Sequence, residues 1–413
     1  MNGREPDHNG CAGDESGRRR FMQGCGAVAA VAAAGMDVST VAANADGMAA
    51  LLEGMPNNWG RWGADDELGA LNLLDETQAA RGLQAATCGG MSSVETFTLQ
   101  VPMTGEVVFV DEDETPTTET GDPAFPGRTP ARRGNVEDER SYREGTADAY
   151  PGGMKSSDDR ALTDFFMHGT THLDSLGHAW YGDQIYNGFD ALETAAAKSF
   201  DRPLEGRIDG EVTEISETRG HARADISPAA DAGISGRGVL LDVGRHQGGP
   251  GNRLPLGTGI TLEDLLATAD EQGVAIRERD ILLVRTGAIP RVRDPNATWD
   301  PTNEPGLEFS EALVRWLHEF DIPMIGADNL AVEKVTQEID GREFTIPLHG
   351  ALLRNLGCYL NEILWLDELA ESCAADGTYE FLFTGAPLHV ERATAAPINP
   401  LVLKGCEGAS GSG

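Results

Sequence analysis

Two spacings of apolar residues organise the chain. Val94 to Val101 alternates, with Phe97, Leu99 and Val101 on one side, and this period of two predicts a strand. Val239-Leu240-Leu241-Asp242-Val243 is a short apolar run of the kind found in strands buried on both faces. Thr261 then opens a helical period through Leu262, Leu265, Leu266 and Ala269, with its hydroxyl placed to cap the first turn. Asp280-Ile281-Leu282-Leu283-Val284 predicts the next strand. Ser310 caps a second helix bearing Leu313, Trp316, Leu317 and Phe320, and Ile322 to Ile325 predicts a further strand. Strands and helices in alternation predict an α/β fold. No fixed-period repeat is present.

Two stretches break this pattern. Residues 111–160 carry five prolines, many acids and no sustained period, which predicts a long loop or insertion, lining a site or merely solvated. Near the start, Gly17-Arg18-Arg19-Arg20-Phe21-Met22-Gln23 resembles a twin-arginine export motif. An uncharged Ala/Val/Gly-rich segment from Gly24 to Met36 follows, and Ala43-Asn44-Ala45 supplies a small-residue cleavage site. The expectation is an exported protein whose mature form starts near residue 46, a disordered extension on a cytoplasmic protein being the alternative. That segment is too short and too weakly apolar to span a membrane, and no other stretch approaches the ~18–20 apolar residues required. The expected organisation is therefore a leader over 1–45, one domain over 46–404 with the 111–160 insertion, and a flexible tail over 405–413.

Charge narrows the class of partner. Asp plus Glu number 67 against 32 Lys plus Arg, a formal charge of −35, and only Lys155, Lys198, Lys334 and Lys404 are lysines. The acids are spread along the chain, which argues against a dedicated acidic arm and for a surface suited to high salt, where self-repulsion is screened. Nucleic acid and anionic membranes both need a basic footprint, so neither is expected as a partner. The six cysteines (11, 25, 88, 358, 373, 406) show no CxxC spacing and predict neither a zinc ribbon nor a stapled scaffold.

The chemistry concentrates in His168-Gly-Thr-Thr-His172-Leu-Asp174-Ser-Leu-Gly-His178, where three of nine histidines and one carboxylate fall within eleven residues. Imidazoles with a hard oxygen ligand are the donor set of a first-row divalent metal. All four polar positions have the same parity, so an extended backbone would turn them to one face. Gly169 and Gly177 argue against a continuous helix. A second candidate locus is His349, in Ile346-Pro347-Leu348-His349-Gly350, followed by a strand-like run from Gly357 to Glu362. His8, His221, His246, His318 and His389 have no such setting and read as structural or exposed.

His168 to His178 is similar to the HxGTHxDxxxH signature of the cyclase family of metal-dependent hydrolases, the group that includes bacterial kynurenine formamidases and isatin hydrolase. The likeness extends over roughly residues 57 to 403. It includes Trp59-Gly-Arg-Trp62-Gly, Thr286-Gly287 after a strand, Ala327-Asp328-Asn329, and the closing Ala386-Pro387-Leu388 and Asn399-Pro400. Thr170-Thr171 stands where the family has Gly-Thr, and Leu176 replaces the usual proline. The resemblance implies a swivelling β/β/α domain, a mixed sheet with packed helices, assembled as a homodimer or homotetramer. It implies that His168, His172 and Asp174 bind one Zn²⁺ or Mn²⁺, with Asp174 bridging to a second ion at His349 and Glu362. The formamidase spacing between that last pair is one residue shorter.

A divalent ion in such a site lowers the pKa of water to about 7 and polarises a carbonyl. His178 would act first as general base and then as the acid that protonates a leaving nitrogen. The expected substrate is a small amide or lactam, with aryl formamides such as formylkynurenine suggested by the family. Thr170 or Thr171 could orient a ligand or oxyanion, or bond backbone instead. Trp59 and Trp62 could stack on an aromatic substrate, or anchor the core or an interface. Two other readings fit the same residues: a non-haem Fe(II) oxygenase with a 2-His-1-carboxylate site, and an exported metal- or solute-binding protein without catalysis.

The acidic composition generates the first prediction. Thermal melts followed by circular dichroism should show stability rising as salt increases toward molar concentrations, because screening relieves the self-repulsion of a chain at −35. A flat or falling trend would rule out the high-salt reading.

Overall fold

In the computed structural model, residues 47–406 are described apart from 88–92, 102–119, 122–130, 136–138, 157–158, 162–165, 195–197, 201–214, 219, 293, 295 and 299. The expected leader and residues 407–413 lie outside the described residues. The frame is a nine-stranded sheet built from β1 (Ser93–Thr98), β2 (His172–Asp174), β3 (Ile234–Asp242), β4 (Ile281–Arg285), β5 (Met324–Ala327), β6 (Tyr359–Glu362), β7 (Glu380–Gly385), β8 (Ala395–Pro397) and β9 (Leu401–Cys406). Their spatial order is β1-β9-β7-β3-β4-β5-β6-β2-β8. The four central strands, β3 to β6, run parallel, and the flanking pairs are antiparallel. The sheet is therefore mixed, as the α/β expectation required.

The parallel centre follows from sequence. All of Ile281 to Val284 is buried, and Val239 to Leu241 beside them are fully so, because helices cover the sheet and leave no solvated face to alternate toward. Helix α2 (Leu262–Glu271) links β3 to β4 and α3 (Glu311–Glu319) links β4 to β5. Thr261 and Asp264 form a reciprocal capping box at the start of α2. Ser310 Oγ accepts the Leu313 N–H at 3.2 Å and starts α3.

Helix α1 (Glu76–Thr87) has no strong apolar period, because its buried face consists of Gln78, Gly82, Ala85 and Ala86. Small residues there permit close approach: a Cβ on Gly82 would stand 2.6 Å from the Gly236 carbonyl oxygen of β3. Helix α4 (Asp367–Asp376) precedes β7.

Two expectations about unstructured stretches change. Thr120–Gly121, Ala131–Asn135 and Asp159–Ala161 pair into a small three-stranded sheet, with a helical turn at Glu139–Glu144, inside the stretch expected to be a loop. Strands of two to five residues are too short to reveal a period. Likewise β9 continues through Gly405 and Cys406, placed above in a flexible tail, because both pair with Val94 and Ser93 of β1.

Buried ion pairs tie the ends of the central strands together. Arg285, closing β4, donates to Asp242 of β3 at 2.9 Å and to Asp367 at the start of α4 at 2.7 Å. Arg237 of β3 similarly pairs with Asp280 and Glu380. Arg285→Ala strands the buried Asp242 carboxylate, leaving it Arg245 at 3.1 Å as its remaining ion partner among the described residues. Removing one member of a buried pair costs about 3–5 kcal/mol. Chemical denaturation should read a loss of that size that persists in molar salt, since buried pairs are weakly screened. A loss below about 1 kcal/mol would show the pair to be dispensable.

Candidate metal centre

The short strand β2 lies between β6 and β8, and its register builds the centre. Glu362 pairs directly with His172 across the antiparallel ladder, and Asp174 pairs with Ala395 on the other side. Alternation sends Leu173 into the core while His172 and Asp174 share the opposite face. Cross-strand neighbours on one face sit close enough for their side chains to meet. His172 Nε2 accordingly lies 3.3 Å from Asp174 Oδ1 and 3.3 Å from Glu362 Oε2.

The other three imidazoles arrive by turns. The equal-parity reading predicted one extended stretch, but the strand covers His172 to Asp174 alone. His168 comes from a 3₁₀ turn (Met167–Gly169), and His178 from a turn closed by its own N–H donating to the Ser175 carbonyl at 3.1 Å. His168 Nε2 is 3.5 Å from Asp174 Oδ1 and 3.2 Å from His178 Nδ1. His349 ends a helical turn (Pro347–His349) that runs into a π-helix (Gly350–Leu356), and its Nε2 is 3.3 Å from Glu362 Oε1 and 3.7 Å from Asp174 Oδ2. All six predicted site residues are thus brought together.

Their grouping differs from the sequence expectation. His168, Asp174 and His178 form one ligand-sized set, and His172, Asp174 and Glu362 another, with Asp174 common to both. His178 therefore stands as close to His168 as a second ligand would. It remains the most open member, with a side chain 29% exposed against 0% for His172 and Asp174.

Orphaned atoms test whether an ion fits. His172 Nε2, both Asp174 oxygens and Glu362 Oε1 are buried without a hydrogen-bond partner among the described residues. Bare buried acceptors are costly, and a cation that receives their lone pairs removes the cost. Ligands about 2.0–2.2 Å from a tetrahedral ion lie roughly 3.3–3.6 Å from one another, the spacing found around His172. The donor set of imidazole nitrogens and carboxylate oxygens fits a divalent transition ion.

Residues behind the centre fix its tautomers. His172 Nδ1 donates to the Thr170 carbonyl at 2.8 Å, and His349 Nδ1 donates to Glu333 Oε1 at 2.7 Å. Each bond leaves Nε2 free to face inward. Glu333 also accepts the Leu348 and His349 backbone N–H groups at 2.9 and 2.7 Å, so one carboxylate caps the turn and aims its imidazole. Sequence reasoning missed Glu333; a lone acid after the apolar run Leu330-Ala331-Val332 was its one signal. Thr171 does not orient a ligand: its hydroxyl donates to the Ile363 carbonyl at 2.5 Å and accepts the Val101 N–H at 2.8 Å. Trp59 is an anchor, donating from Nε1 to the Arg354 carbonyl at 2.6 Å beneath the Arg354 guanidinium. Thr286-Gly287 and Asp328 belong together, since the Asp328 carboxylate accepts both backbone N–H groups and the Thr286 hydroxyl.

Backbone strain gathers at the same place. Val332, Ile346 and Ile363 adopt left-handed φ of 57°, 45° and 56°, next to Glu333, the His349 turn and Glu362. Such conformations cost β-branched residues of order 1–3 kcal/mol each and persist where surrounding contacts enforce them.

Charge states follow from the packing. Burial opposes protonation of His172, but the Asp174 and Glu362 carboxylates prevail and push its pKa up to about 9. Burial likewise opposes the His349 imidazolium, and Glu333 with Glu362 raises it well above the ordinary value. Glu362 falls to about 2 against its own burial, held ionised by His172 and His349. Burial lowers the His178 pKa and so favours its neutral form.

A match to the family described as "Putative cyclase" covers residues 99–334, from the end of β1 through the metal motif to Glu333 and Lys334. The chain belongs to the cyclase family. It is similar to the crystal structure of a novel cyclase, at 29% identity over 84% of this chain and 100% of that one, with a TM-score of 0.64. Weaker likenesses are to an isatin hydrolase bound to the product analogue thioisatinate (16% identity, 80% of this chain and 100% of that one, TM-score 0.46). Another is to a predicted metal-dependent hydrolase from Bacillus stearothermophilus (16%, 76% and 99%, TM-score 0.39). No curated protein matches. No described helix of this cyclase is long and apolar enough to cross a membrane.

Two protonated imidazoles must deprotonate before they can ligate, so metal uptake should release protons. Calorimetry in buffers of different ionisation enthalpy should show release of at least one proton at pH 7, with affinity rising up to about tenfold per pH unit for each proton displaced. In the metal-free protein the sign reverses. Raising the His172 pKa from 6.5 to about 9 stabilises that form fully below pH 6.5, and the benefit is lost as pH rises through 9. Metal affinity independent of pH would contradict the assignment of these imidazoles as ligands.

Proposed function

We propose that this cyclase is a metal-dependent hydrolase cleaving the C–N bond of an aryl formamide or a cyclic amide. The observation that carries this reading is the buried cluster of four imidazoles and two carboxylates around Asp174, open to solvent on the His178 side. His172, Asp174 and Glu362, with His349 beside Glu362, would hold one divalent ion, Zn²⁺ or Mn²⁺, and His168 with Asp174 would contribute to holding a second. A bound ion supplies a water of pKa about 7 and a polarised carbonyl.

The chain's own residues supply the rest. Thr170 and Glu333 hold the His172 and His349 rings in the tautomer that directs Nε2 inward. Neutral His178 takes a proton at a ring nitrogen and returns it to the leaving nitrogen, a general-base and then general-acid role. The half-open position of this ring suits that exchange, whereas His172 and Asp174 are sealed from solvent. A 2-His-1-carboxylate oxygenase site has three protein ligands, and the four imidazoles and two carboxylates gathered here go beyond it. The family resemblance supports a homodimer or homotetramer acting on a small molecule.

His178→Asn tests the role of the ring. The variant should retain its metal while kcat on N-formyl aromatic amines or isatin-like lactams falls by about 10²–10⁴-fold. Loss of metal together with activity would make His178 a ligand partnered with His168. Unchanged activity would leave the mechanism without its base. Turnover of simple esters alone, in a metal-loaded screen at high salt, would overturn the amide assignment.

A further inference from the structure

His221 lies 43 residues beyond the metal motif and outside both ligand-sized sets among the described residues, yet it packs into the turn that carries His178. A Cβ on Gly177 would stand 2.5 Å from His221 Nδ1 and 2.9 Å from the Ala224 carbonyl oxygen, so the imidazole rests directly on the residue before His178. The same ring meets Trp180, two residues after His178, edge-on at a centroid distance of 5.7 Å. The Gly177 N–H donates to the Ala224 carbonyl at 2.8 Å, which fastens the turn to the segment holding His221.

That segment is itself pinned. The His221 N–H donates to the Arg392 carbonyl at 3.0 Å, and the Ala222 N–H to that of Thr194 at 2.9 Å. The Ala224 N–H donates to Glu67 Oε2 at 2.7 Å, and the Arg392 N–H to Asp225 Oδ2. His221 is 7% exposed, and its Nδ1 has no hydrogen-bond partner among the described residues. A bare buried polar atom is unfavourable, so stability does not account for a histidine here. Shape does: the Nδ1 edge of the ring occupies the space a Cβ on residue 177 would need, so the imidazole fills the room that the glycine leaves.

We propose that His221 is a positioning residue that holds the Gly177–Trp180 turn so that the His178 imidazole faces the metal centre. This rests on the acid–base reading of His178. Glycine at 177 and histidine at 221 then form a matched pair, each setting the room available to the other.

The test compares His221→Ala, His221→Phe and His221→Asn with His178→Asn in the full-length, metal-loaded protein. The Ala and Phe variants should keep wild-type metal content and a KM within about threefold, while kcat falls by up to about 10²-fold, the cost of a misplaced catalytic group. Asn places a bare oxygen near the position of Nδ1 and should restore most of that loss. Gly177→Ala should cost less in the His221→Ala background than in the native one, a coupling that a double-mutant cycle isolates. Native kcat in both the Ala and Phe variants, with His178→Asn impaired, would overturn the positioning role and leave the acid–base reading standing. Loss of metal in proportion to lost activity would make His221 a support of the fold in general. Full activity in His178→Asn would end both claims together.

Discussion

The fold turns on a buried carboxylate ringed by imidazoles. Asp174 is fully enclosed, neither oxygen receives a well-formed hydrogen bond among the described residues, and four imidazoles face it from the strand itself and from three turns. A group like this is unfavourable in an empty interior. It becomes favourable as the meeting point of cations, and the surrounding architecture delivers them. The β6–β2 register brings Glu362 opposite His172, the β2–β8 pairing closes the other side, and Glu333 fixes the direction of His349. Strained backbone at Val332, Ile346 and Ile363 shows that the scaffold gives up local stability to place these groups.

Divalent-ion chemistry and the charge of the whole molecule bear on each other. Without an ion, the carboxylates are neutralised by protons on His172 and His349, and this is why His172 rises to about 9 while Glu362 falls to about 2. A bound ion would replace those protons. The strongly negative surface would also concentrate cations near the protein, an effect that weakens as salt rises. Stability and metal capture should therefore respond to ionic strength in opposite directions, the first gaining and the second losing.

Much of this was legible in the chain, for identifiable reasons. The central parallel strands show because burial on both faces demands unbroken apolar runs, as at Ile281 to Val284. The starts of α2 and α3 show because capping is local chemistry. The metal motif shows because its residues are close in sequence. Glu333 stayed hidden because its role arises from a contact sixteen residues away, and α1 because it packs through Gly82 and alanines. His221 read as a structural histidine, since nothing nearby in sequence links it to Gly177. The parity of His168 to His178 suggested one extended strand, whereas a 3₁₀ turn and a second turn deliver its two outer imidazoles.

Binding of a divalent ion at Asp174 is tested by anomalous diffraction from crystals grown at neutral pH with Mn²⁺ or Zn²⁺. Strong metal-edge peaks are expected beside the Asp174 carboxylate, bounded by His172 and Glu362 and absent when the same crystals are equilibrated well below the pKa of His172. Peaks confined to acidic surface groups, with none at Asp174 at any pH, would contradict that binding.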